Sequence, residues 1–321
     1  MELENERGFM NSNIADTIDR NSYTAKYDAS VKEMLADKQI LARILKYSLE
    51  EFANEELSDI IDSMNEPDVS NVRMEPGFTN SEQVMRTVEE DSVIGEGAIY
   101  YDIRFSVYHG AELIKMLINI EAQKSTNPTK LGYYIDNRII FYLGRMVSSQ
   151  KGVEFQNSNY DDLKAVRSIW ICMDSDDDED SINRIRFTQE NVYGKQIELD
   201  NIDKVQGVII RLRKNENVKT SKNVLIAMLE ELLKKDDAEN KKKRLEEDYG
   251  IVMNVETERK VNSMCNLSEV MLERGIEQGI EQVIERMLRL GRTPEEIADF
   301  CGYDLEKVKQ VEQKVLAIRS V

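Results

Sequence analysis

Hydrophobic and polar residues alternate along residues 99–108 and again along residues 113–123. Apolar side chains occupy the odd positions of the first segment and the even positions of the second. Alternation with a period of two predicts half-buried strands. The turn formers between the segments, His109–Glu112, predict that the two strands form an antiparallel hairpin.

The hairpin loop decides which residues of the two strands lie opposite each other. A loop of two or four residues places Asp102 opposite either Asn119 or Glu121, and opposed residues point to the same face of the sheet. Asp102, Glu121 and Gln123 are therefore expected on one polar face, within a few ångströms of one another.

Two carboxylates on one face suggest a cation site. Like charges held together disfavour each other's ionisation, and a divalent cation removes that cost. Mg²⁺ is typically held by one or two carboxylates, waters and substrate phosphates. The alternative is an ordinary solvated hairpin face, on which the acids lie among Arg104 and Lys115. The pattern by itself leaves both interpretations open.

The order Asp102, hairpin, then Glu121-Ala122-Gln123 resembles the D…E-x-Q core of PD-(D/E)xK nucleases. More narrowly, it is similar to the recombination-promoting nuclease/putative transposase family of bacteria. Three further stretches within residues 24–290 resemble that family: a D-x-x-x-K opening helix at Asp28 and Lys32, the helix Tyr134–Met146, and the Gly-Ile-Glu-Gln repeat at 275–282.

This resemblance implies an α/β fold, a restriction-endonuclease-like core with a mixed central sheet flanked by helices, plus a helical C-terminal extension. It implies a DNA endonuclease that hydrolyses phosphodiesters with Mg²⁺ or Mn²⁺. The catalytic residues would be Asp102, Glu121 and Gln123, and the metal ligands Asp102, Glu121 and the backbone carbonyl of Ala122. DNA would be contacted by Arg138, Lys124 and Arg145.

The chain departs from the superfamily pattern at two positions of this core. Tyr101, not proline, precedes Asp102, and Gln123 stands where the superfamily usually has lysine. Glutamine cannot act as a general base, Lys124 points to the wrong face, and Lys115 lies roughly 20 Å away along the strand. The alternative function is therefore a catalytically silent nuclease fold that serves as a nucleic-acid-binding or oligomeric interaction module.

The net charge of −18 argues against a general nucleic-acid binder. Much of the acidity is clustered, however, and Asp174–Asp180 predicts a flexible acidic loop, without the spacing of a Ca²⁺ site. The motif helix is locally basic. Its cations are Lys124, Lys130, Arg138, Arg145 and Lys151.

Other features predict a soluble protein of the cytoplasm. Residues 1–20 contain no apolar run of a signal peptide, and no stretch reaches the length of a membrane span. The three cysteines lack C-x-x-C spacing and read as reduced thiols. With His109 as the single histidine, a metal would have to be bound by oxygen.

Changes in composition and pattern along the chain predict the domain organisation. Four segments are expected: a flexible arm at 1–23, the nuclease-like domain at 24–215, a helical extension at 216–290 and a helix-turn-helix-like hairpin at 291–321. The hairpin is equally consistent with packing or dimerisation. Ile276, Ile280 and Ile284 need a partner helix, which is expected either in the same chain or in a second copy, as in a homo-oligomer formed through the 268–290 helix.

Local signals place the other elements. Asp28 is the expected N-cap of helices that extend to about Phe52, residues 55–97 are expected to be irregular or to form short strands, and a helix is expected over about 130–148. Strands are expected at 168–173, 182–187 and 205–213, the first buried on both faces because its apolar run is continuous.

Overall fold

The computed structural model describes residues 26–74, 99–110, 114–123, 125–173, 179–213, 220–233 and 236–319. The chain divides into two compact units, a larger one at Asp28–Met264 and a smaller one that contains the residues from Cys265 onward. In the described part of the chain, every helix is too short or too polar to span a lipid bilayer.

A mixed open sheet forms the centre of the larger unit, which confirms the predicted α/β class. Its strands are β1 (Asp68–Met74), β2 (Ile99–His109), β3 (Ile114–Gln123), β4 (Ala165–Cys172), β5 (Ser181–Arg186) and β6 (Val205–Arg211), in the order β1-β2-β3-β4-β6-β5. The β2–β3 hairpin is antiparallel as predicted, β3 pairs with β4 in parallel, and β4 pairs with β6 in parallel. Edge strands β1 and β5 are antiparallel to their neighbours.

The helices are numbered in chain order. They are α1 (26–35), α2 (Lys38–Ser48), α3 (Leu57–Ser63), α4 (Pro128–Leu131), α5 (Ile135–Ser148), α6 (Val224–Leu233), α7 (Ala238–Tyr249), α8 (Val255–Arg289), α9 (Pro294–Cys301) and α10 (Leu305–Arg319). Single 3₁₀ turns occur at Glu50–Phe52, Tyr160–Asp162 and Ile202–Lys204.

Helix α5 connects the parallel strands β3 and β4 and packs on one face of the sheet. Its residues Ile139, Tyr142 and Met146 share a buried core with Trp170 of β4. Gly207 of β6 lies under the helix: a Cβ atom added there would lie 2.9 Å from Cγ2 of Ile139. The missing side chain at this position therefore lets α5 approach the sheet closely.

Strand β4 is central and covered on both faces, as its continuous apolar run predicts. All residues from Val166 to Cys172 are buried. Burial raises the pKa of the Cys172 thiol to about 12, so this cysteine is inert. The ring of His109 packs edge-on against the ring of Phe52, with ring centroids 5.7 Å apart, so this histidine contributes to packing.

Three local expectations need correction. Asp28 lies inside α1, which already includes residues 26 and 27, and the N-cap role belongs to Asp37, whose carboxylate accepts a hydrogen bond from the Gln39 N–H at 3.0 Å. Helix α3 forms, with Ile60 buried, in the range 55–97, where irregular structure or short strands were expected and where β1 is a short strand. The helix expected from residue 130 is interrupted, because Gly132 ends α4 in the left-handed conformation (φ 78°).

The larger unit extends beyond the boundary expected near residue 215. Helix α6 is tied to the end of β6 by an ion pair between Arg213 and Glu230. Helix α7 ends against α2, where Arg43 donates to the backbone oxygen of Gly250 at 2.7 Å. The predicted helical extension therefore begins inside the compact core.

The smaller unit has its own core. Ile284 of α8 is buried with Ile297 of α9 and with three valines of α10: Val308, Val311 and Val315. Thr293 and Glu296 form a capping box at the start of α9, and Gly302 ends this helix. Part of the isoleucine stripe is thus covered within the chain. The side chain of Ile276 lies outside the described residues, and the homo-oligomer stays a prediction.

Candidate functional site

The register of the β2–β3 hairpin brings the two predicted carboxylates together. Arg104 pairs with Asn119 and Ile103 with Ile120, which is one of the two registers that the sequence allowed. At the end of the ladder, the backbone N–H of Asp102 donates to Oε1 of Glu121 at 3.2 Å. The N–H of Ala122 donates to Oδ2 of Asp102 at 3.0 Å. Each carboxylate is therefore held by the backbone of the opposite strand.

Glu121 is the buried member of this pair. Its side chain is 3% exposed, and Trp170 lies opposite it on β4. Burial, and then the charge of Asp102, raise the pKa of Glu121 to about 8, although the guanidinium of Arg138 and a hydrogen bond from Asn119 act in the opposite direction. Glu121 is consequently protonated near neutral pH as long as no cation offsets the charge of its neighbour.

Helix α1 contributes a lysine to the site that sequence reasoning did not assign to it. Nζ of Lys32 lies 2.6 Å from Oδ1 of Asp102, and both side chains are largely buried. Asp28 and Lys32 are one helical turn apart and both line the cavity beside the carboxylates. That spacing, D-x-x-x-K, was the signal in the sequence that could have identified Lys32.

Arg138 of α5 is enclosed by protein groups. Its guanidinium donates to the hydroxyl of Tyr133 at 2.6 Å, to the hydroxyl of Tyr142 at 2.8 Å and to Oε1 of Gln123 at 3.3 Å. Its Cζ atom lies 5.0–5.6 Å from the ring centroids of Tyr133, Tyr142 and Trp170. Such contacts favour a cation over the aromatic faces, so this guanidinium is held in one place.

These groups surround an open cavity of about 380 Å³. Its lining residues come from α1, from the ends of β2, β3 and β4, and from helices α4 and α5. They are Asp28, Val31, Lys32, Asp102, Glu121, Ala122, Gln123, Leu131, Arg138 and Met173. The cavity thus presents three carboxylic acid side chains, one amine, one guanidinium and one amide on a partly apolar wall.

The three residues predicted to contact nucleic acid have different outcomes. Arg138 lines the cavity, but its hydrogen bonds go to other side chains of the protein. Arg145 is buried (6% exposed), so it cannot reach a ligand at the surface, and the expectation for this residue is wrong. Lys124 lies outside the described residues. Lys115, which was expected to lie too far from Glu121 to act at the site, forms an ion pair with Glu154 at 2.8 Å.

The donor atoms determine which metal would fit here. Asp102, Glu121 and the carbonyl of Ala122 offer only oxygen, which suits Mg²⁺ or Mn²⁺. Among the described residues, no group of three or more His, Cys, Asp or Glu side chains is arranged to hold a metal. Two carboxylates are nevertheless enough for Mg²⁺, which keeps several waters. Burial and the charge of Asp102 both disfavour an ionised Glu121, and a bound cation would offset that charge.

Comparisons of this chain with protein-family models, with curated proteins and with solved structures found no match. The functional conclusion therefore depends on the chemistry of the cavity.

Proposed function

We propose that this protein is a Mg²⁺- or Mn²⁺-dependent DNA endonuclease of the PD-(D/E)xK type, related in role to the recombination-promoting nucleases. The observation that carries the proposal is the pair of carboxylates, Asp102 and Glu121, each bound by the opposite strand of one hairpin at the edge of a cavity that also contains an amine. Phosphodiester hydrolysis needs these groups: oxygen ligands for a cation, and positive charge near the phosphate.

The fold supports the same proposal. An antiparallel hairpin followed by a helix and a parallel strand is the arrangement expected of a restriction-endonuclease-like core. Here the hairpin β2–β3 is followed by α5 and by the parallel strand β4. The carboxylates lie in the first half of β2 and near the end of β3, where they line the cavity.

Each residue then has a distinct role. Asp102, Glu121 and the carbonyl of Ala122 would hold the ion, which when bound supplies an acidified water and offsets charge on the scissile phosphate. Lys32 provides the positive charge that is absent at position 123. Gln123 provides a neutral hydrogen bond. Glu121 must lose its proton before it can hold a cation, so activity should increase as pH approaches 8.

DNA would approach over the cavity from the side of α4 and α5. Lys130 of α4 is exposed, and the ring of Tyr133, in the turn between α4 and α5, is 37% exposed. A strongly acidic chain needs such a local surface to bind a polyanion. The proposed partner is therefore DNA at this surface, and the proposed homo-oligomer would form elsewhere, through α8.

One observation favours the second candidate, a silent nuclease fold that binds without cutting. The residue at position 123 is glutamine, which cannot accept a proton, and Lys32 already forms an ion pair with Oδ1 of Asp102. In this case the cavity would still bind DNA or a partner, but hydrolysis would be absent.

Nicking of supercoiled plasmid separates the two candidates. The full-length protein should convert supercoiled to open-circular DNA with Mg²⁺ or Mn²⁺ and should stop when EDTA is added. Asp102→Asn and Glu121→Gln should each abolish this conversion, because each removes a ligand. Asp136→Asn, an exposed acid on α5, is the matched control and should nick normally. DNA retardation in a gel without any nicking would identify the silent fold, and equal nicking by all variants would place the activity outside this cavity.

A further inference from the structure

The orientation of the Gln123 side chain is determined by its neighbour. A glutamine amide has an oxygen that accepts and an NH₂ group that donates, whereas a guanidinium only donates. Arg138 lies 3.3 Å from Oε1 of Gln123. The oxygen must therefore face Arg138, and the NH₂ group is left to donate into the cavity that Gln123 lines.

The other contacts of Arg138 hold it in this position. Two tyrosine hydroxyls accept from it, at 2.6 and 2.8 Å, and three aromatic rings surround it. Its carboxylate neighbour, Glu121, is farther away, with 4.0 Å between Nη2 and Oε2. An arginine that clamps a phosphate presents two parallel N–H groups to it. Here those groups point to protein oxygens.

We propose that Arg138 is a positioning residue that acts through Gln123, fixing the amide so that its NH₂ group donates to an anionic phosphate oxygen of the substrate. This inference rests on the proposed function. The amide then replaces the hydrogen-bonding half of the usual lysine, and the charge comes from Lys32 on another element. Position 123 would then contact a hydrogen-bond acceptor of the substrate, such as a phosphate oxygen, because the NH₂ group that faces the cavity only donates.

Direct and indirect action of Arg138 give different kinetics. An arginine that binds phosphate itself contributes to DNA affinity, so its loss raises KM and lowers the salt dependence of binding by about one charge. A residue that acts only through Gln123 changes kcat, leaves KM and the salt dependence unchanged, and has no effect once the Gln123 amide is gone.

The test is a double-mutant cycle of Arg138→Met and Gln123→Ala, with nicking kinetics at several salt concentrations. We expect each single variant to lower kcat by about 2- to 10-fold, the range of one hydrogen bond, and the double variant to be no slower than Gln123→Ala. Two results would overturn the inference. One is a decrease in kcat in the double variant equal to the product of the two single decreases. The other is a raised KM and a weaker salt dependence of DNA binding in Arg138→Met. Lys130→Met is the control, and its effect should multiply with that of Gln123→Ala.

Tyr133→Phe repeats the cycle with little risk to the fold, because this ring is exposed and only one acceptor of Arg138 is lost. It should lower kcat by a smaller factor, and this factor should also vanish in the Gln123→Ala background. A factor that persists there would count against positioning.

A readout without activity separates this inference from the proposed function. In ¹⁵N-labelled protein, the Gln123 NH₂ signals are identified by their loss in Gln123→Ala. Arg138→Met and Tyr133→Phe should shift these signals, whereas Lys130→Met should not. Shifted signals in a protein that never nicks DNA would overturn the nuclease proposal but keep the positioning contact. Unshifted signals in a protein that nicks DNA would keep the nuclease proposal and overturn the positioning role of Arg138.

Discussion

Lys32 Nζ and Asp102 Oδ1 lie 2.6 Å apart, so one of the two candidate metal ligands already has a cationic partner. Lys32 on helix α1 thus supplies a cation beside the carboxylates, while strand β3 has Gln at position 123. A cation bound by Asp102 would compete with Lys32 for this carboxylate. This competition separates metal binding from catalysis in a way that can be measured.

Lys32→Met should bind Mg²⁺ more tightly than the wild-type protein and should nick DNA more slowly. The tighter binding follows because Oδ1 of Asp102 no longer has to give up an ion pair, and the slower nicking follows because positive charge near the phosphate is lost. Calorimetric titration with Mg²⁺ and plasmid nicking measure the two effects. Lys38→Met is the control, since Lys38 pairs with the exposed Glu66, and both quantities should stay level. Weaker Mg²⁺ binding by Lys32→Met would refute the competition.

Glu121→Gln should stabilise the metal-free protein, and the gain should increase with pH. The pKa of Glu121 is about 8 in the fold against an ordinary value of 4.5. Between these values the native state retains a proton that the unfolded state has lost, so the stability of the wild-type protein declines as pH rises from about 4.5 to 8. Glu121→Gln lacks this decline in the free energy of unfolding. The pKa difference limits the decline to about a few kcal/mol.

Thermal unfolding in EDTA between pH 5 and pH 8 measures this gain. The Tm of the wild-type protein should fall relative to that of Glu121→Gln across this range. Asp136→Asn should shift Tm by a similar amount at every pH, because Asp136 is exposed. Parallel pH profiles for the wild type and Glu121→Gln would show that Glu121 titrates normally.

Mg²⁺ affinity should depend on pH for the same reason. The ion needs ionised Glu121, so binding should tighten by up to about tenfold per pH unit below 8 and level off above it, with about one proton released per ion. Calorimetry at pH 7 in buffers of different ionisation enthalpy counts the protons. An affinity that is constant from pH 6 to pH 9, with no proton release, would remove Glu121 from the ligand set.

Gly207→Ala should destabilise the larger unit by about 1–3 kcal/mol, the usual cost of overpacking a core. The added Cβ would lie 2.9 Å from Cγ2 of Ile139, which is fully buried. Gly144→Ala on the same helix α5 is the matched control. Gly144 is exposed and has open space around it, so alanine there should stabilise the helix by about 0.5–1 kcal/mol. Urea unfolding of both variants tests the pair, and equal stabilities would mean that α5 lies farther from the sheet.

The sequence by itself determined which face of each strand is polar. Alternation places Asp102, Glu121 and Gln123 on one side of the hairpin, and the apolar run at 168–173 predicts the strand buried on both faces that the structure shows as β4. Caps are equally local signals, and the Thr293 capping box was predictable for that reason. All of these features depend on neighbours a few residues away along the chain.

The tertiary structure decided what depends on contacts between distant segments. The hairpin register was limited to two choices by the sequence, and the pairing of Arg104 with Asn119 selects one. The Lys32–Asp102 contact joins residues from α1 and β2, and no local period encodes it. The raised pKa of Glu121 follows from its burial in the packed protein and from the nearby charge of Asp102, and Arg145 is buried although its helix also carries exposed residues. Periodicity reports the direction of a side chain, but solvent exclusion and charge proximity exist only after the elements have packed.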